Sequence, residues 1–157
     1  MGVSSASIGL IMALGALLLA AGIEDARRRT ISNWTNLAIA ALAPIWWWAR
    51  GYAIWPDVPL QLLLAAVTLA LFAAAFAAGM MGGGDVKLIA ALALWLPIVP
   101  LLDLLIVMSL AGGVVTALMM LDRRVFRREG ALEVPYGVAI AFAGLLALSE
   151  PILNQLA

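Results

Sequence analysis

LQLLLAAVTLALFAAAFAAG, residues 60–79, decides the fold. It holds no charge, its only strongly polar groups are Gln61 and Thr68, and it is as long as the ~20 residues a helix needs to cross a bilayer. The run is rich in Ala and Leu and shows no alternation of period two, so it reads as a helix and not as a barrel strand. The rest of the chain has the same character. Of its 157 residues 66% are apolar and 11% charged, against ~45–50% and ~25% in ordinary soluble domains. A soluble domain of this size could not bury so much apolar surface. The composition therefore predicts an all-α, polytopic membrane protein, a single transmembrane domain over residues 1–157 with no soluble domain.

Working outward from residues 60–79, the apolar runs predict about six transmembrane helices. The first covers Ile8–Ile23 and stops at Glu24-Asp25-Ala26-Arg27-Arg28-Arg29. The second runs from Trp34 or Leu37 to Ala49 and contains Pro44. After the third, Gly82-Gly83-Gly84-Asp85 breaks the chain. A short fourth span, Val86–Leu96, ends at Pro97 and Pro100. The fifth is Leu101–Leu121, followed by a charged loop at Asp122–Glu133, and the sixth runs from Val134 to Leu148 or slightly beyond. Met1–Ala6 carries no basic run, so the N-terminal segment is expected to be a first span and not a cleaved signal peptide. With the N-terminus outside, eight basic residues (Arg27, Arg28, Arg29, Lys87, Arg123, Arg124, Arg127, Arg128) lie on the cytoplasmic side and Arg50 alone on the other. Trp46, Trp47, Trp48, Tyr52, Trp55 and Trp95 gather at the opposite ends, as an interfacial belt would.

Composition also limits the chemistry. Nine basic and nine acidic residues balance, which gives no basic surplus for nucleic acid. With no cysteine and no histidine, thiolate nucleophiles, Ser–His catalysis and Cys- or His-ligated metal centres are ruled out. No metal and no cofactor is expected. Acid–base work falls to Asp, Glu, Lys or Tyr.

Two carboxylates stand out. Asp25 ends the first span and Asp85 begins the fourth, so the two share one membrane depth although 60 residues separate them. Acidic groups at a bilayer boundary are functional candidates by default. Each also suits a simple helix cap, and arginines beside Asp25 could neutralise it. The glycines at 82–84 permit unusual backbone angles and close approach of another segment. The P-loop spacing is absent. Two carboxylates brought together tend to hold one proton between them, and such a pair can activate water while protonating a carbonyl oxygen.

Three stretches resemble the motifs of the type IV prepilin peptidase family. Asp25-Ala26-Arg27-Arg28-Arg29-Thr30-Ile31-Ser32-Asn33 is similar to the first-aspartate motif. Gly82-Gly83-Gly84-Asp85-Val86-Lys87-Leu88 is similar to the Gly-x-Gly-Asp signature. Val134-Pro135-Tyr136-Gly137-Val138-Ala139-Ile140-Ala141 resembles the Pro-Tyr-Gly segment that opens the last span. They occur in the family's order, and the size resembles the short, single-function branch of the tight-adherence (Flp-type) pilus. The resemblance implies a membrane-embedded aspartic endopeptidase that removes the leader of Flp-like prepilins or pseudopilins, substrates with a hydrophobic N-terminal helix. It would lie in the cytoplasmic (inner) membrane with its site facing the cytoplasm. Asp25 and Asp85 would be the catalytic pair. Gly82 and Gly84 would shape the site, with Lys87, Asn33, Pro135, Tyr136 and Gly137 as candidates beside it. Lys87 also suits a charge anchor, Asn33 a cap and Tyr136 an interfacial aromatic.

The chain departs from the family at Ser32, where the motif commonly has proline. Serine also suits a helix-initiating turn. It lacks the cysteine-bearing insert of the long members, so N-methyltransferase activity is expected to be absent. Asp103 and Glu150 are expected near the outer face, and Asp122, Glu129 and Glu133 as partners of their loop's arginines. A small proton-coupled transporter and a scaffold subunit of a secretion or pilus machine are the competing readings. A presenilin-like protease shares Gly-x-Gly-Asp but is longer, with deeper aspartates.

The orientation is directly testable in this cysteine-free chain. Arg127→Cys is expected to resist an impermeant thiol reagent in intact cells and to react once the membrane is opened. Labelling in intact cells would reverse the assignment.

Overall fold

The computed structural model describes residues 5–126 and 136–156, with side chains described over 6–122 and 136–149. These residues form six helices and no strand: α1 (Ser5–Arg28), α2 (Asn33–Ala49), α3 (Asp57–Ala77), α4 (Gly83–Ala93), α5 (Ile98–Phe126) and α6 (Tyr136–Leu156). Three are long and apolar enough to cross a membrane, over Ala6–Arg28, Asp57–Ala77 and Ile98–Asp122; α6 has a shorter apolar part, Tyr136–Ser149. Leu62, Leu63, Val67 and Leu71 on α3 and Leu102, Ile106, Leu110 and Val114 on α5 are exposed. Apolar faces of that extent need a partner other than water, and lipid is the one their lengths suit. The segment expected as a charged loop from Asp122 is still helix at its start, because α5 continues to Phe126. Pro44 leaves α2 unbroken.

Helix ends follow local chemistry. Ser32 caps α2, its Oγ accepting from the Trp34 N–H at 3.1 Å, the role a serine can fill in place of proline. Both α2 and α3 close with a left-handed glycine, Gly51 (φ 71°) and Gly79 (φ 72°). The following amides reach back, Tyr52 N to Trp47 O at 2.9 Å and Met80 N to Ala75 O at 3.0 Å, which is the Schellman arrangement. α1 ends similarly on Arg29 (φ 56°), whose N–H donates to the Asp25 carbonyl at 2.8 Å.

α4 sits inside the others. It packs against α2, α3 and α6, while α1 packs on α2 and α6, and α5 on α6. Val86, Leu88, Ile89, Ala91, Leu92 and Ala93 are all buried. Its 11 residues rise only ~16 Å, about half of a ~30 Å hydrocarbon layer. The helix is as short as the apolar run Val86–Leu96 implied, and this creates a difficulty: the last carbonyls of a helix have no partner within it, and here they end among apolar side chains. Side chains of the neighbours supply the donors. Gln61 Nε2 donates to Ala93 O (2.6 Å) and Leu96 O (2.7 Å), Trp47 Nε1 to Leu94 O (2.7 Å) and Trp46 Nε1 to Trp95 O (3.2 Å). Trp95 Nε1 returns a bond to Ile39 O at 2.9 Å.

Only part of the expected aromatic belt therefore faces outward. Trp48 and Trp55 are exposed, whereas Trp47 and Trp95 are buried in this network. Trp46 stacks on Trp95, with ring centroids 5.5 Å apart.

Gln61→Leu keeps the volume of the side chain and removes two of these bonds. It is expected to cost ~1–2 kcal/mol, seen as a lower unfolding midpoint in detergent. Gln61→Glu, which loses the donor, should be worse. An unchanged midpoint for both would show that α4 does not depend on this cap.

Candidate active site

The site is built where four helix ends meet: the C-terminal end of α1 and the N-terminal ends of α2, α4 and α6. Asp25 lies in the last turn of α1 and is only 4% exposed. Its Oδ2 accepts from the Val138 N–H at 3.2 Å, and the Gly137 N–H also faces the carboxylate. These are among the first amides of α6, which have no acceptor in their own helix. A carboxylate there complements the helix dipole as well. Asp25 thus caps another helix across a sequence gap of 113 residues.

Asp85 lies in the first turn of α4 and is 7% exposed. It turns back on its own helix start: Oδ2 lies 3.0 Å from where a Cβ on Gly82 would be, and the Gly82 amide faces the carboxylate. This is the back-reaching half of a capping box. Its other oxygen, Oδ1, is buried with no hydrogen-bond partner among the described residues. Asp25 and Asp85 stand within electrostatic range of one another. The cap reading is correct as far as it goes, but it leaves Oδ1 of Asp85 unaccounted for.

The glycines act through space more than through backbone angle. Gly82 has an ordinary extended conformation (φ −76°, ψ 147°), and Gly83 and Gly84 are helical. A Cβ on Gly84 would meet Ile31 Cβ and N at 3.2 Å. On Gly137 it would meet Ile31 Cδ1 at 2.7 Å and Asp25 Cγ at 2.8 Å. Ile31, buried in the turn between α1 and α2, is thus the wedge against which α4 and α6 both close. Glu24 holds that turn, its Oε2 accepting from the Ser32 N–H at 2.9 Å.

The remaining candidates fall elsewhere. Lys87 and Asn33 are exposed and bond each other, Nζ to Oδ1 at 2.8 Å. Tyr136 lays its ring against Gly112 of α5, where a Cβ would meet Cε1 at 2.9 Å. Pro135 lies outside the described residues, as do Glu129 and Glu133 and the Glu150 side chain. Asp103 borders a cavity of about 250 Å³ with Pro100 and Ser149. Among the described residues no group of three or more His, Cys, Asp or Glu could hold a metal ion. The residue the motifs did not single out is Asn36. It is buried, and its Nδ2 donates to the Gly84 carbonyl at 3.2 Å, tying α2 to the turn that carries Asp85. A lone amide on an apolar helix was the available signal.

Residues 12–117, about two-thirds of the chain and including both aspartates, match the type IV leader peptidase family. The chain belongs to that family. Neither the curated proteins nor the solved structures contain a significant match. Membership in a leader peptidase family, together with the long apolar helices, makes this a multi-pass membrane protein of a protease family whose substrates are of the prepilin type.

Close packing at these helix ends is measurable. Gly137→Ala is expected to destabilise by ~1–3 kcal/mol through overpacking against Ile31 and Asp25, and Gly84→Ala by less, because its contacts are longer. Gly113→Ala, where a Cβ meets nothing within 4 Å, should be neutral or slightly stabilising. Thermal unfolding in detergent orders the three, and equal midpoints would mean that the helix ends are not closely packed.

Proposed function

We propose that this chain is an aspartic endopeptidase of the inner membrane that removes the leader of Flp-like type IV prepilins at the cytoplasmic face, with Asp25 and Asp85 as its catalytic pair. The observation that carries the reading is the meeting of two buried carboxylates from different helices at one end of the bundle, one of them with an oxygen that has no partner among the described residues. A cap needs one satisfied carboxylate per helix; it does not need two of them within range of each other. Family membership supports the substrate class.

The chemistry follows from a pair that shares one proton. The ionised carboxylate takes a proton from water as the water oxygen attacks the scissile carbonyl carbon. The protonated one donates to the carbonyl oxygen. Collapse of the tetrahedral species breaks the C–N bond: one hydroxyl returns its proton to the second carboxylate as the carbonyl re-forms, and the proton gained by the first carboxylate leaves on the new amine. The burial of both groups keeps bulk water from competing for these transfers.

Asp25→Asn, Asp85→Asn and the double variant are each expected to insert normally and to leave a co-expressed Flp-type prepilin uncut to a similar extent, since members of one catalytic unit are not additive. Loss of a cap alone would cost only ~0.5–2 kcal/mol and processing would persist. Asp103→Asn and Glu150→Gln should process normally. Near wild-type processing by Asp25→Asn at matched protein level would end the paired-carboxylate reading. Purified wild-type protein should also cut in the presence of a chelator; loss of cutting with recovery on added zinc or magnesium would make the two aspartates metal ligands instead.

A further inference from the structure

Asn36 has an acceptor oxygen that its bond to Gly84 leaves unused. Its Nδ2 is committed to the Gly84 carbonyl, but its Oδ1 is buried with no hydrogen-bond partner among the described residues. Buried acceptors are almost always satisfied, and an exception calls for a reason. Besides Asn36, the described residues hold one other such side-chain atom, Oδ1 of Asp85, one residue beyond the carbonyl that Asn36 binds. Asn36 also lines a groove of about 510 Å³ between α2, α3 and α4. One end of that groove carries Asn33 and Lys87; the rest is apolar, with Leu37, Ala40, Leu69 and Leu94 among its walls.

The proposed reaction creates the donor that fits. A peptide bond inside a helix has its carbonyl engaged and shielded, so the segment around the scissile bond must be extended when water attacks. Extension releases backbone N–H groups, and any that become buried against the enzyme need an acceptor there. We infer that Asn36 is a substrate-binding residue whose Oδ1 accepts one of these backbone N–H groups, while the apolar part of the prepilin-type substrate lies along the groove between α2, α3 and α4. This rests on the peptidase reading given above. The oxygen is reached when the substrate displaces the side chains that now shield it. Because it is already dehydrated, forming the bond costs no further loss of hydration on the enzyme side. The same amide then holds both partners of the reaction, the turn bearing Asp85 through Nδ2 and the substrate backbone through Oδ1.

The test uses purified full-length protein in detergent and a synthetic prepilin N-terminal segment. A series of substrates carries an ester oxygen in place of one backbone N–H at a time on either side of the scissile bond. One ester position is expected to lower kcat/KM of the wild type roughly tenfold, and to cause no further loss in Asn36→Leu. Asn36→Asp keeps an acceptor oxygen and gives up the bond to Gly84, so it should retain the ester sensitivity. A merely structural Asn36 would lower activity in both variants without interacting with the substrate change. Equal ester effects in wild type and Asn36→Leu would overturn the inference. So would a wild type with no ester-sensitive position, an outcome that does not depend on whether the leucine variant folds. Failure of the wild type to cut the unmodified segment would overturn the peptidase reading itself, and this inference with it.

Discussion

A short helix that ends among apolar side chains must have its backbone satisfied by its neighbours, and the rest of this structure is arranged around that requirement. The last turn of α4 is buried against α2 and α3, where its terminal carbonyls have no water to turn to. Gln61 reaches it from α3, Trp46 and Trp47 from α2. At the other end Asn36 adds a second bond to the Gly84 carbonyl, and Asp85 turns back to the free amide of Gly82. An unsatisfied polar group in such surroundings costs several kcal/mol, more than most single packing contacts provide. The donors therefore fix where α4 stands, and with it where Asp85 stands. Residues near the far end of the bundle, Gln61 above all, serve the proposed chemistry without approaching it.

Asp25 is placed by the complementary problem. The first amides of α6 need acceptors, and α1 supplies one from 113 residues away in sequence. The bond is possible only because Gly137 lets α6 approach to a distance at which any side chain would collide with Asp25 or Ile31. Gly84 does the same for α4 against Ile31. Two helices that share no sequence neighbourhood thereby close on one isoleucine, and the two carboxylates come within range of each other as a result.

Several of these relations could be read in the sequence, and the reasons others could not are physical. The long apolar runs announced helices because their lengths match a bilayer, and the three motifs singled out Asp25, Asp85 and Gly137 by residue type. The shortness of α4 was legible in Val86–Leu96, but the way its end is satisfied was not, because the donors stand 32 to 49 residues away in sequence. For the same reason the tryptophans read as a belt, although the indole N–H groups of Trp46, Trp47 and Trp95 bond to carbonyls. The glycines at 82–84 suggested unusual backbone angles, yet the left-handed glycines are at 51 and 79. Glycine's two uses, freedom of φ and want of a side chain, look identical in a sequence. Asn36 and Ile31 escaped because their importance lies in what they touch.

The arrangement also explains how one residue can be both a cap and a candidate catalyst. A capping carboxylate is held in one orientation by amides that cannot move without unwinding a helix. A reactive carboxylate needs that same fixed orientation, since misplacement by an ångström can cost two orders of magnitude in rate. Asp25 is oriented by α6 and Asp85 by α4, so the separation between them is set by how closely α4 and α6 pack, and that closeness is limited by Gly84 and Gly137 against Ile31. The capping bonds fix each carboxylate in angle, and the glycines fix the two relative to each other in distance. In the proposed mechanism, the Asp85 oxygen that no bond engages among the described residues is the one left for water or substrate.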